Sequence, residues 1–171
     1  MNKIGFGGSC HWCTEAIFLS LKGVSKVEQG WIAAEGENSG FSEAVVVTYD
    51  TEIISLQTLV AIHLYTHSCT SNHSMRSKYR SAVYTFDKED AIIANASIKE
   101  LQADYTAPII TKVLPFIDFK VNTQEFLNYY YSNPDKPFCE NIVNPKLKML
   151  IKQFSSDLDM EKLKHLQSSA V

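Results

Sequence analysis

Seven consecutive residues, Glu43-Ala44-Val45-Val46-Val47-Thr48-Tyr49, commit the middle of the chain to a β-sheet. Successive β-branched side chains lose freedom in a helix and pack well on a pleated surface. On the N-terminal side, Asn2 to Gly7 is short and apolar enough for a buried strand. Gly7-Gly8-Ser9 breaks it before the helical spacing of Ala16, Ile17, Leu19 and Leu21 begins, and Gly23 closes that helix. Val24 to Ile32 suits a further strand, followed by a polar loop from Ala33 to Gly40.

Beyond the central strand, Leu56, Leu59, Val60 and Leu64 give Ser55 to His67 an amphipathic helical pattern with Ser55 as N-cap, and Cys69 to Met75 is a polar loop. Ser81 to Phe86 alternates like a strand, Lys88 to Ala103 is a helix that ends before Pro108, and Ile109 to Leu114 supplies another strand. A short aromatic helix is expected over Thr123 to Tyr131, stopped by Asn133-Pro134, and a final helix or helix pair over Lys146 to Gln167. The order lacks the regular βαβα alternation of a doubly wound sheet. It predicts an α+β, two-layer sandwich: a mixed, mostly antiparallel sheet with helices packed on one face and a C-terminal helical extension.

A chain of 171 residues fits a single domain, 1–171, with enough core to fold without metal or disulfide staples. Nineteen acidic against 16 basic residues, a formal charge of −3, do not suggest a nucleic-acid surface. There is no apolar run of about 20 residues to span a membrane, nor the basic start and apolar stretch of a secretion signal. A cytoplasmic location follows as the expectation. Reducing cytosol disfavours structural disulfides, so the four cysteines point to catalysis or metal binding.

Cys10 sits where strand gives way to helix, in Gly7-Gly8-Ser9-Cys10-His11-Trp12-Cys13-Thr14-Glu15. Unpaired N–H groups and the positive end of the helix dipole favour thiolate over thiol at such a position. The glycines let a substrate approach the backbone closely. Against the alternative of a small buried hydrophobe, the second thiol at Cys13 favours chemistry, since C-x-x-C serves as a dithiol redox pair. C-x-x-C with His67 or His73 is also a partial zinc set. Cys69 and Cys139 are isolated and supply no second close pair, so no metal is expected.

With these residues in view, the chain resembles the A-type peptide methionine sulfoxide reductases, whose signature is G-C-F-W-x-x-E. Phe41 to Asp50 is similar to that family's H-A-E-A-V-x-V-x-Y-D, and Tyr79-Arg80-Ser81-Ala82-Val83-Tyr84 to its Q-Y-R-S-A-I-Y. His67 with Thr70 matches part of H-D-P-T, and Tyr129, Asn133-Pro134 and Cys139 match the end of Y-H-Q-Q-Y-x-x-K-N-P-x-G-Y-C. The likeness covers about residues 3 to 140 in order.

The resemblance implies a ferredoxin-like core and thiol-dependent reduction of methionine (S)-sulfoxide, in proteins or as the free amino acid, with no organic cofactor. Cys10 would attack sulfur and become a sulfenic acid, and a disulfide reduced by thioredoxin would restore it. Glu43 would be the protonated acid at the sulfoxide oxygen, a role that needs burial. Tyr79 would hydrogen-bond the same oxygen, and Trp12 would wall the methyl pocket. Glu15 is expected to pair with a backbone N–H in its own first turn. Cys139 stands where the family places a resolving cysteine on a mobile C-terminal segment, and Cys13 offers a nearer one.

Some positions depart from the family. Its Phe is His11, half of the methyl pocket, and the next Gly is Cys13; its loop aspartate is Ser74, a substrate-positioning site; its A-E-x-Y-H is replaced by Asn122 to Phe126; and the loop from Ala33 to Gly40 is shortened. These departures keep two further readings open: a dithiol–disulfide oxidoreductase using Cys10 and Cys13, and a non-catalytic binding paralogue.

Overall fold

The β-branched run forms, with Ser42, strand β3 (Ser42–Tyr49) in a computed structural model that describes residues 1–167. The single-domain expectation also covers residues 168–171, which lie outside the described residues. β3 lies inside a six-stranded sheet with spatial order β5-β4-β1-β3-β2-β6. The other strands are β1 (Asn2–Gly7), β2 (Val24–Ala33), β4 (Ala82–Thr85), β5 (Lys112–Pro115) and β6 (Asp118–Val121). All neighbours are antiparallel except β4 and β5. The helices are α1 (His11–Leu19), α2 (Leu56–Thr66), α3 (Lys88–Leu101), α4 (Tyr129–Ser132), α5 (Asn144–Phe154) and α6 (Lys164–Gln167). The chain order β1-α1-β2-β3-α2-β4 with β4-β1-β3-β2 adjacency is the expected ferredoxin-like core, extended at both edges.

Alternation decides which face the helices cover. Ile4, Phe6, Val45, Val47, Tyr49 and Val83 point into the main core. There the Phe6 ring stacks on Phe18 of α1 at 4.5 Å and lies 4.8 Å from His63 of α2, locking strand and both helices together. The opposite face carries a smaller cluster, Ile32, Ala44, Val46, Ala82 and Tyr84, against Phe116 and Phe119. Capping matches expectation at α2, where Ser55 Oγ accepts the Thr58 N–H at 3.1 Å. α3 starts likewise, with Asp87 accepting from Asp90 N–H at 2.8 Å. None of the helices among the described residues is long and apolar enough to cross a membrane.

The C-terminal third departs most from expectation. The anticipated strand over 109–114 is shifted to Lys112–Pro115, and β6 was not anticipated. β6 pairs with β2 at Gly30, where a Cβ would stand 1.9 Å from the Lys120 carbonyl oxygen. In place of a helix over Thr123–Tyr131 there is a 3-10 turn, Gln124–Phe126, and the single-turn α4, separated by Asn128 at φ +54°. The final helix pair is observed as α5 and α6.

Candidate active site

Cys10 occupies the N-cap of α1, half-buried, at the end of the strand-to-turn passage Gly7-Gly8-Ser9. Gly8 has φ +153°, and a Cβ there would lie 2.5 Å from the His67 ring, so only glycine permits this turn. A hydrogen bond from the Cys13 thiol, aided by the N–H groups of Trp12 and Cys13, pulls the Cys10 thiol below its ordinary range, against burial and the Glu43 charge. The same thiol–thiol bond, followed by burial, pushes Cys13 far up, while the Lys146 charge acts the other way. The two shifts run in opposite directions, so Cys10 is the thiol of the pair that ionises first.

Glu43 faces this turn from β3. Its Oε2 accepts the His11 N–H at 3.1 Å, and its Oε1 is 3.8 Å from Lys78 Nζ. The amide that follows the nucleophile thus holds the carboxylate beside it. His11 is buried with Nδ1 3.0 Å from the Gly30 carbonyl, which can only accept, so Nδ1 carries the proton. Its Nε2 is 3.5 Å from Asn122 Nδ2, which also donates to Gln29 Oε1 at 3.0 Å. Two departures from the family pattern, His11 and Asn122, therefore meet in space. The His11 ring packs edge-on against Trp31 at 5.2 Å.

Trp12 stacks on Tyr129 at 4.1 Å and 7°, with Phe126 at 5.9 Å and Phe138 edge-on at 5.6 Å. Its buried Nε1 has no acceptor among the described residues. Glu15 fixes the aromatic segment. Instead of the expected pairing within its own helical turn, its carboxylate accepts the N–H of Asn128 at 3.0 Å and of Tyr129 at 3.1 Å. Burial raises its pKa against those bonds. Glu15→Ala is expected to strand two part-buried donors, to lower stability by about 1–2 kcal/mol in urea unfolding, and to weaken the Trp12–Tyr129 contact seen by fluorescence. Glu15→Gln, which keeps one acceptor, should recover part of the loss.

Tyr79 and Ser74 come from the loop between α2 and β4. Tyr79 is half-buried, with the Lys78 ammonium 5.1 Å from its ring centre. The Tyr79 hydroxyl, and then Glu43, holds that ammonium above its ordinary range. Ser74 is exposed, and no hydrogen bond among the described residues joins it to Cys10 or Glu43. Arg76 organises the loop: it donates to the carbonyls of Ser68 (2.6 Å), Gly8 (2.8 Å), Ser71 (2.9 Å) and Tyr79 (2.9 Å). Sequence reasoning missed it, because carbonyl partners leave no mark in side-chain identity.

Cys139 is fully buried at the start of a π-helical turn, Cys139–Val143, and burial raises its pKa. It is packed into the core with Val143, Leu147 and Leu150 rather than presented on a free segment, although its charge is felt at Cys13. The structure joins Cys10, Cys13, Glu43, His11 and Lys78, with Tyr79 at the edge, and leaves Ser74 apart. Among the described residues no group of three or more His, Cys, Asp or Glu is placed to hold a metal.

Comparison with known proteins gives the arrangement a context. The family described as peptide methionine sulfoxide reductase matches residues 2–158. "Peptide methionine sulfoxide reductase MsrA" of Pasteurella multocida is 34% identical over 162 residues, covering 86% of this chain and 93% of the relative. The fold is similar to that of Mxr1 from Saccharomyces cerevisiae in reduced form, with a TM-score of 0.72 at 20% identity over 81% of this chain and 88% of the other. It is also similar to Mxr1 in complex with Trx2, with a TM-score of 0.59 at 21% identity over 72% and 81% of the two chains. On this extent of match the chain belongs to the peptide methionine sulfoxide reductase family of enzymes.

Proposed function

We propose that this protein reduces the S epimer of methionine sulfoxide with Cys10 as nucleophile and Cys13 as resolving thiol. The observation that carries this reading is the half-buried Cys10 thiol at the α1 N-terminus, with Cys13 on the same helical turn and the Glu43 carboxylate held on the next amide. Cys10 gives up its proton and attacks the sulfoxide sulfur as thiolate, while the Glu43 carboxylate takes up that proton and delivers it to the oxygen, aided by the Tyr79 hydroxyl. Methionine departs and Cys10 is left as a sulfenic acid. Trp12 and His11 bound the space that receives the methyl group, and Ser74 takes the loop position at which the family carries aspartate.

Cys13 thiol then attacks the sulfenic sulfur, releasing water and forming a Cys10–Cys13 disulfide. A thioredoxin-class dithiol reduces it by exchange. Its place on the first turn of α1, three residues from Cys10, favours Cys13 over Cys139 for this step. Support for the reductant comes from the relative solved with Trx2. Protein-bound and free methionine sulfoxide are both candidate substrates, and the cytoplasm is the proposed compartment.

The test is a single-turnover assay with pre-reduced protein and each sulfoxide epimer, without added reductant. About one methionine per chain from the S epimer alone, with two thiols lost and the disulfide mapped to Cys10 and Cys13, is the expected result. Cys13→Ser should still form that first methionine but turn over poorly with reductant. Disulfide exchange with no sulfoxide dependence would favour the oxidoreductase reading instead. Failure of both reactions would favour the binding paralogue.

A further inference from the structure

A cavity of about 360 Å³ opens beside the nucleophile turn, lined by Gly8, Ser9, His67, His73, Lys146 and Met149 among others. Its size falls in the range of small-ligand sites, about 300–1,000 Å³. No carboxylate lines it, although the chain as a whole is acidic. Ser9, Thr66, Ser68, His67 and His73 share this lining with Lys146.

Lys146 is out of place by ordinary rules. It stands on α5 just after Pro145, in a helical run that continues into α5 from the π-turn Cys139–Val143, and no acidic residue lies in the first turn of α5. It takes part in none of the ion pairs among the described residues, in contrast to Lys26, Lys78, Lys112 and Lys164. Lys120 and Lys136 lie over aromatic rings, and Lys22 and Lys162 donate to carbonyls. Lys3, Lys88, Lys99, Lys148 and Lys152 are exposed, where water suffices. Lys146 is half-buried. A half-buried cation left without a counter-ion among the described residues breaks a local rule, and such breaches concentrate at functional sites.

We propose that this cavity binds a carboxylate carried by the substrate peptide, an aspartate or glutamate next to the oxidised methionine, with Lys146 as its counter-ion. The proposal rests on the reductase reading above and adds a sequence preference to it. Ser9 is the residue before Cys10, so a peptide whose sulfoxide lies at Cys10 needs only one residue of chain, about 3.3–3.6 Å, to bring an adjacent acid toward this cavity. Tyr65 and Met149 give the acid's aliphatic stem an apolar wall. The site is open to solvent ions at its mouth, so its contribution should weaken with salt.

The experiment compares two sulfoxide peptides identical except for Glu or Gln beside the oxidised methionine. The wild-type protein is expected to prefer the Glu peptide by about threefold to tenfold in kcat/KM, carried by KM and shrinking at high salt. Lys146→Met should bring the ratio to one, Lys146→Arg should retain it, and Lys148→Met, on the exposed side of the same helix, should leave it as in wild type. Equal rates in the wild type, or a preference that survives Lys146→Met, would overturn the proposal. Direct binding of both peptides to Cys10→Ser protein gives the same ratio without turnover. If neither peptide is reduced by wild type, the reductase reading fails, and the binding ratio still decides the cavity.

Discussion

Replacement of Cys10 by serine is expected to lower methionine formation by about 10⁴-fold or more, the scale on which nucleophile deletions act. Serine is itself a favoured N-cap residue at this position, so the fold should melt as before. What is lost is an ionisable atom: the Cys13 thiol, the Trp12 and Cys13 amides and the helix terminus stabilise charge on sulfur below the ordinary thiol range, and a serine hydroxyl does not ionise there. The same cause fixes the pH dependence. Thiolate accumulates as pH rises through the lowered pKa, so alkylation of Cys10 by iodoacetamide should reach its plateau at lower pH than a free cysteine does. Alkylation that climbs only above the ordinary thiol range would contradict this account. Cys13→Ser removes the largest of the favourable contacts and should move the alkylation midpoint upward, a readout independent of turnover.

Acid should destabilise the protein between about pH 6.5 and pH 4, with the buried His63 and the half-buried His67 as the cause. Burial holds His67 down at about 4, helped by the Arg76 and Lys146 charges, and His63 well below its ordinary range, helped by the charge of the stacked His67 ring. Both have folded pKa values under their unfolded ones, so the unfolded chain binds more protons in this window. Stability is complete above the unfolded value and falls as pH drops toward the folded one. For His67, whose edge reaches the cavity, this amounts to roughly 2–3 kcal/mol. The wiring explains why protonation is resisted. His67 Nδ1 donates to the His63 carbonyl, and Nε2 lies 2.7 Å from Ser81 Oγ, itself 2.7 Å from Thr111 Oγ1. A proton on Nε2 would force that hydroxyl chain to reverse. His67→Gln should flatten the acid limb of the stability profile measured by urea midpoints; an unchanged acid limb would show that other groups set it.

Much of the N-terminal half was legible because its signals are local. The β-branched run sets β3, two glycines and a serine end β1, and Ser55 caps α2, each through a residue whose preference works within a few positions. The C-terminal third was less legible because its structure is written in distant partners. β6 is four residues, Asp118–Val121, held at an edge that Gly30 leaves open to the Lys120 carbonyl. The aromatic helix expected over 123–131 is broken at Asn128, whose left-handed backbone puts two N–H groups onto Glu15, over a hundred residues earlier. In the site, Cys10 and Cys13 were found from spacing alone, while Glu43, Tyr79 and Trp12 needed the family likeness. Arg76, with its four carbonyl partners, and the pairing of His11 with Asn122 had no sequence signal at all.

Placing both thiols on the first turn of α1 has a thermodynamic consequence. A disulfide between Cys10 and Cys13 closes a ring of very few residues, and the chain entropy such a ring removes from the unfolded state is small compared with that of a long loop. Oxidation therefore adds little to the stability of the fold, and the two redox forms should share nearly the same melting behaviour. With the fold contributing so little to keeping the bridge closed, the ease of reopening it is left to sulfur chemistry and access: Cys10 is the sulfur of the pair that a reductant can reach, and the buried Cys13 is the one that leaves.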